Sequence, residues 1–112
     1  MVNRSVEELD DVYAAIAHSV RRQVLDRLSE GPATVSELAA PFPMSLVAVS
    51  KHIKVLEAAG LVNRSIEGRE HNMSLAPAPL RPAAAWIDHY RSLWEMRLDR
   101  LEARLQARTK HE

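Results

Sequence analysis

Ser45-Leu-Val-Ala-Val-Ser-Lys-His-Ile-Lys-Val-Leu-Glu-Ala-Ala-Gly60 is the stretch whose reading decides the fold. Val49, Ile53, Leu56 and Ala59 recur at helical spacing, so one face of a helix packs inward. The opposite, early face carries Ser45, Ala48, Lys51 and His52, with Ser50 beside them. None of these covers a core well. Gly60 supplies the left-handed stop that ends such a helix. A helix whose N-terminal half is small and polar fits a DNA major groove and reaches base edges there.

Upstream, Thr34-Val-Ser-Glu37 is a capping box that opens a short helix carrying Val35, Leu38 and Ala39. Pro41 and Pro43 end it, and the quoted helix begins at about Ser45, with Phe42 and Met44 placed to plug the junction. A short helix, a tight turn and a longer helix with a polar leading edge make a helix-turn-helix. Downstream, Leu61-Val-Asn-Arg-Ser-Ile66 and Arg69-Glu-His-Asn-Met-Ser-Leu75 flank Glu67-Gly68 and read as a β-hairpin. Val62, Ile66, Met73 and Leu75 are expected to face the core, with Arg69 at the tip. Such a hairpin after a recognition helix is a wing, and its tip reaches phosphates or a minor groove.

The chain begins with a second capping box, Ser5-Val-Glu-Glu8, and a stripe of Leu9, Val12, Tyr13 and Ile16. A break near His18-Ser19 leads to another helix with Val20, Val24, Leu25 and Leu28 inward and Gly31-Pro32 as its stop. Arg21 and Arg22 lie at its start and are read as a solvated face. Ala76-Pro-Ala-Pro-Leu-Arg-Pro82 reads as a stiff linker. A last helix runs to about Arg108, with Ile87, Tyr90, Trp94, Leu98, Leu101 and Leu105 at spacings of three and four. Trp86, Tyr90 and Trp94 form an aromatic ridge, which suits an interface or core better than a small-molecule pocket. One small core cannot absorb both terminal helices, which points to a homodimer through Leu9, Tyr13, Tyr90, Trp94, Leu98, Leu101 and Leu105.

The expected organisation is thus one mainly α winged helix-turn-helix domain over 1–112, with dimerisation helices at 8–18 and 80–108. The helix-turn-helix occupies 34–60 and the wing 61–75. A hydrophobic fraction of 46% beside 27% charged residues belongs to a folded protein and not to a disordered tail. Net charge is zero with histidine neutral, so any nucleic-acid contact has to come from a local strip of cations. There is no cysteine, which excludes disulfides and thiolate metal sites. No signal-like N-terminus and no apolar run long enough to span a bilayer is present, so a cytoplasmic protein without a membrane partner is expected.

The order helix, helix, helix-turn-helix, wing, long helix resembles the ArsR family of winged-helix transcriptional repressors, from about Asp10 to Leu105. The residues that carry the likeness are Ile16-Ala-His-Ser-Val-Arg-Arg-Gln-Val-Leu25, Ala48-Val-Ser-Lys-His-Ile-Lys-Val-Leu56, Ala59-Gly-Leu-Val62 and Gly68-Arg69. The resemblance implies a homodimer on double-stranded operator DNA, released when an effector such as a small molecule binds. It places Ser45, Leu46, Val47, Ser50, Lys51 and His52 at the groove, Lys54 nearer the backbone and Arg69 at the wing tip. Arg64 is a second wing contact on the same footing. Leu46 and Val47 stand where many relatives carry polar residues; they suit thymine methyl groups or readout of DNA shape. Protonation of His52 near pH 6.5 is expected to add a cation and strengthen binding in mild acid.

Many members of that family sense metals. The segment Thr34-Val-Ser-Glu-Leu-Ala39 has none of the cysteines of one familiar site. Asp88 and His89 on the last helix are adjacent, so they diverge by about 100°. No metal and no cofactor is therefore expected, the alternative being an unconventional histidine–carboxylate site across the dimer that involves His89 or His111. Catalysis is unsupported as well. There is no cysteine nucleophile, no Gly-rich phosphate loop and no His-x-x-x-His pair, and Ser50 and His52 diverge on one helix. The remaining rival is a winged-helix module that contacts protein and not DNA.

Overall fold

The helix starts at Ser19, Val35 and Leu46 are set by side chains that accept backbone N–H groups. The computed structural model describes residues 4–110, with side chains from 6 to 109; the Ser5 side chain, on which the expected capping box with Glu8 depends, and His111 lie outside these. α1 (Arg4–Ile16) and α2 (Ser19–Leu28) are separated by His18, whose Nδ1 accepts from the Val20 amide at 3.1 Å. Thr34 caps α3 (Val35–Ala39) by accepting from the Glu37 amide, while Glu37 accepts from the Thr34 amide and hydroxyl. Those bonds hold the Glu37 carboxyl below the usual carboxylate pKa. Ser45 caps α4 (Leu46–Ala58) by accepting from the Ala48 amide at 3.1 Å.

α4 ends as expected. Gly60 takes φ 77°, and the Leu61 amide returns to the Leu56 carbonyl at 3.0 Å. β2 (Val62–Glu67) and β3 (Glu70–Leu75) form the hairpin, turning at Gly68 with φ 62°. A third strand, β1 (Ala33–Thr34), pairs antiparallel with β3 through Ala33↔Met73 and Thr34↔Asn72, giving the order β1-β3-β2. Two residues carry no periodic pattern, so this strand is invisible in the sequence.

The core gathers Val12, Ala15, Val20, Val24, Leu28, Leu38, Val49, Ile53, Leu56, Leu61, Val62 and Met73. Leu9, Tyr13, Ile16, Leu25, Phe42, Met44 and Leu75 pack on its rim. One expected core residue is misplaced by the sequence reading. Ile66 shares a strand face with Val62, but it stands opposite His71 beyond the end of the core and is 61% exposed. Pairing in register keeps the face but not the depth.

α5 (Leu80–Lys110) begins inside the expected linker. The Leu80 amide donates to Pro77 and the Arg81 amide to Ala78, so the prolines shape the first turn. Pro82 sits in that turn, where it has no intrahelical N–H bond to lose. Ala83 is buried, and Tyr13 of α1 donates its hydroxyl to the Ala83 carbonyl at 2.8 Å and meets Trp86 edge-on. From Ala84 to Thr109 every residue is exposed. The molecule accordingly measures 73 × 39 × 22 Å with a radius of gyration of 20.1 Å. A compact chain of this length would reach about 13 Å.

Candidate nucleic-acid interface

On α4 the buried side is Val49, Ile53 and Leu56. At roughly 100° per residue, Val47, Lys51 and Lys54 stand on the opposite side, and Leu46 and Ser50 on the flank between. Leu46 and Val47 are uncovered, Val47 to 66%, and both lysines are exposed. Leu46 and Ser50 border a recess of about 400 Å³ between α4, the start of α3 and the hairpin. Thr34, Val35 and Ser36 form one wall, and Arg64, Arg69, Glu70 and His71 the other. The structure thus brings Leu46 and Ser50 together with Arg64 and Arg69. Ser36 and His71 were not singled out from sequence, because nothing in the pattern announces that β1 pins the hairpin beside α3.

Three sequence-named residues are occupied within the protein. Ser45 Oγ is the α4 cap, so the orientation of its hydroxyl is fixed toward the helix by the Ala48 amide. Ser45→Ala is expected to cost about 0.5–2 kcal/mol of fold stability, with Ser45→Thr recovering most of it. Chemical denaturation of the three proteins checks this, and identical midpoints would remove the capping role.

Arg64 forks onto Glu57 of α4, Nε to Oε2 at 3.2 Å and Nη2 to Oε1 at 2.5 Å, and Nη1 donates to His71 Nδ1 at 2.8 Å. Glu57 raises the already high guanidinium pKa. Arg64 therefore braces the wing on α4 and does not project from it. Arg69 is exposed in the turn, flanked by Glu67 and Glu70, which face one another across the strands. The two carboxylates partly offset the field of that one cation.

His52 is the largest departure. It lies about 160° around α4 from Ser50, half-buried, with its ring 4.3 Å from that of His18 and Nδ1 accepting from Arg21 Nη1 at 3.1 Å. Burial first, then the His18 and Arg21 charges, hold its pKa below the usual histidine value. The expected protonation near pH 6.5 is thereby suppressed, and the ring faces α2 and not the uncovered side. Arg21 is equally unlike a solvated side chain. Its Nε donates to the Ala15 carbonyl at 2.7 Å and Nη2 to Ala14 at 3.1 Å, while Arg22 caps Ile16 at 2.9 Å. Both close the C-terminus of α1, whose last carbonyls lack partners within the helix.

A helix-turn-helix domain family matches residues 16–65. The HTH-type transcriptional regulator Rv2034 of Mycobacterium tuberculosis is 37% identical over 81 residues, which covers 72% of this chain and 76% of that one. The transcriptional repressor SdpR of Bacillus subtilis is 28% identical over 79 residues, 70% of this chain and 88% of its own. Among solved structures, an ArsR family transcriptional regulator superposes with a TM-score of 0.72 at 42% identity, covering 79% of this chain and 97% of that one. The chain belongs to the ArsR family.

It is a helix-turn-helix transcriptional regulator and not an enzyme. As an ArsR-family chain it raises the metal question again. Among the described residues no three His, Cys, Asp or Glu side chains converge as metal ligands would. Asp88 is bonded to Arg91 at 3.3 Å and the His89 ring lies against Tyr90. Nor, among the described residues, is any helix of this ArsR-family chain long and apolar enough to cross a membrane.

Proposed function

We propose that the chain is a cytoplasmic homodimeric repressor that binds double-stranded operator DNA through α4 and the wing. The observation that carries the reading is the bare side of α4, where Leu46, Val47, Lys51 and Lys54 are exposed and half-buried Ser50 lines, with Leu46, the recess that Arg69 borders. SdpR, a repressor by name, is similar along most of its length and supports the direction of regulation. The dimer is supported by α5, where Ala83 on α1 begins a stripe that continues through Ile87, Tyr90, Trp94, Leu98, Leu101 and Leu105 with nothing over it. Two-fold pairing sets two recognition helices toward half-sites about 34–36 Å apart. Release by a small-molecule effector completes the reading and rests on family resemblance.

Salt titration of binding on preferred and random duplexes tests it. Arg69→Ala should weaken both and lower the salt slope by about 1. Ser50→Ala should cost roughly 1–3 kcal/mol on the preferred duplex and less on the random one. No salt-dependent binding to either duplex would sink the DNA reading and leave a protein-contact module.

A further inference from the structure

We infer that Arg21 is a positioning residue that locks the recognition helix α4 to the end of α1 through an uncharged His52, so that acid unlocks the DNA-reading surface. This deepens the proposed function and rests on it for the effect on DNA. The guanidinium spends all three nitrogens on different acceptors: Nε on Ala15, Nη2 on Ala14 and Nη1 on His52 Nδ1. Two of these acceptors are carbonyls of α1, and the third is a side chain of α4. One residue of α2 therefore ties three helices together at one point. α1 also holds α5 through Tyr13 and Ala83 at 2.8 Å. The lock is continuous with the uncovered stripe of α5, so the angle of α4 is referred to that helix.

The chemistry of the lock is conditional. Arg21 has only donors, so the bond requires a lone pair on His52 Nδ1. A proton there removes the acceptor and sets a second cation against the guanidinium. The charged or titratable groups facing His52 are His18, at a ring distance of 4.3 Å, and Arg21. From α1 the Ala14 and Ala15 carbonyls take part in this contact, both as acceptors for Arg21. On the other elements packed against α4, Glu37 is bonded to Thr34, and Arg64 to Glu57 and His71. No carboxylate bonds to His52 among the described residues, so nothing there offsets its protonation.

The sign follows. The locked state holds His52 below its ordinary pKa, so an unlocked state binds the proton more readily. The lock is complete above pH about 6.5 and is lost as pH falls through the depressed value. A histidine placed to read DNA would do the opposite and bind more tightly in acid.

The test compares the full chain with His52→Asn, His52→Leu and Arg21→Lys. Asn offers an amide oxygen near the Nδ1 position and does not titrate. Leu offers no acceptor, and Lys cannot place one ammonium on three separate acceptors. Hydrogen exchange of the α4 amides without DNA is the first readout, from pH about 7.5 to 5.5. After correction for intrinsic exchange, the unaltered chain should lose α4 protection in acid, while His52→Asn keeps it. His52→Leu and Arg21→Lys should be less protected at both ends, with little pH dependence. Duplex affinity is the second readout. It should fall by up to about tenfold per pH unit in the unaltered chain, the limit for one linked proton, and stay flat in His52→Asn. Protection that is identical in the unaltered chain and His52→Asn across the range, or affinity that rises in acid through His52, overturns the lock. If α4 loosens as expected and no variant binds DNA at neutral pH, the lock stands and the DNA reading fails.

Discussion

Leu98→Glu combined with Leu101→Glu is expected to leave a monomer or an unfolded chain, and the unaltered protein to sediment as the proposed dimer. Leu98 is 58% and Leu101 52% exposed in the single chain, and both lie in the stripe that starts where Ala83 is buried on α1. Full burial of a leucine side chain contributes about 1.5–3 kcal/mol. Two-fold pairing makes each change occur twice in the interface, and it buries glutamates that have no assigned partner. Operator affinity should collapse with the dimer, because each half-site alone is a weak ligand. Met96→Glu is the matched control. Met96 is 53% exposed but stands about 160° from Leu98 around α5, so its charge should leave the assembly intact. A stable monomer of the unaltered chain at micromolar concentration would contradict the seam.

The second large effect concerns the fold itself. Ile53→Ala should lower stability by about 2–5 kcal/mol, the range for truncating a buried branched side chain. Ile53 is fully buried on α4, among Val49, Leu56 and the facing residues of the core, so the cavity it leaves has no route to solvent. Val47→Ala on the same helix should stay within about 0.5 kcal/mol, since Val47 is 66% exposed. Denaturant midpoints compared at equal protein concentration decide it. Equal losses for the two variants would mean that α4 does not pack on the side described.

Much of the architecture is legible because it is written in local devices. Thr34 with Glu37, Ser45, and the glycines at 60 and 68 each fix a start or a stop by chemistry within a few residues. The inward face of α4 follows from spacing alone, and Val49, Ile53 and Leu56 are buried. Contacts between segments distant in sequence are another matter. Arg21 looks solvated until α1 ends against it, and His52 looks free until His18 and Arg21 close over it. Arg64 looks like a wing cation until register puts it on the inner face, opposite Met73 and within reach of Glu57. Spacing locates a residue on its own element; it does not say which partner reaches it from another.

The bare length of α5, exposed from Ala84 to Thr109, has a consequence in mass action. If two copies share that helix, part of the stabilising surface belongs to neither chain alone, and melting temperature climbs with protein concentration. Dilution then acts as a denaturant. DNA occupancy inherits the same dependence: below the dimer's dissociation constant it varies with the square of chain concentration, and a halving of expression removes about three quarters of the binding species. A regulator assembled this way switches on abundance as steeply as on any ligand.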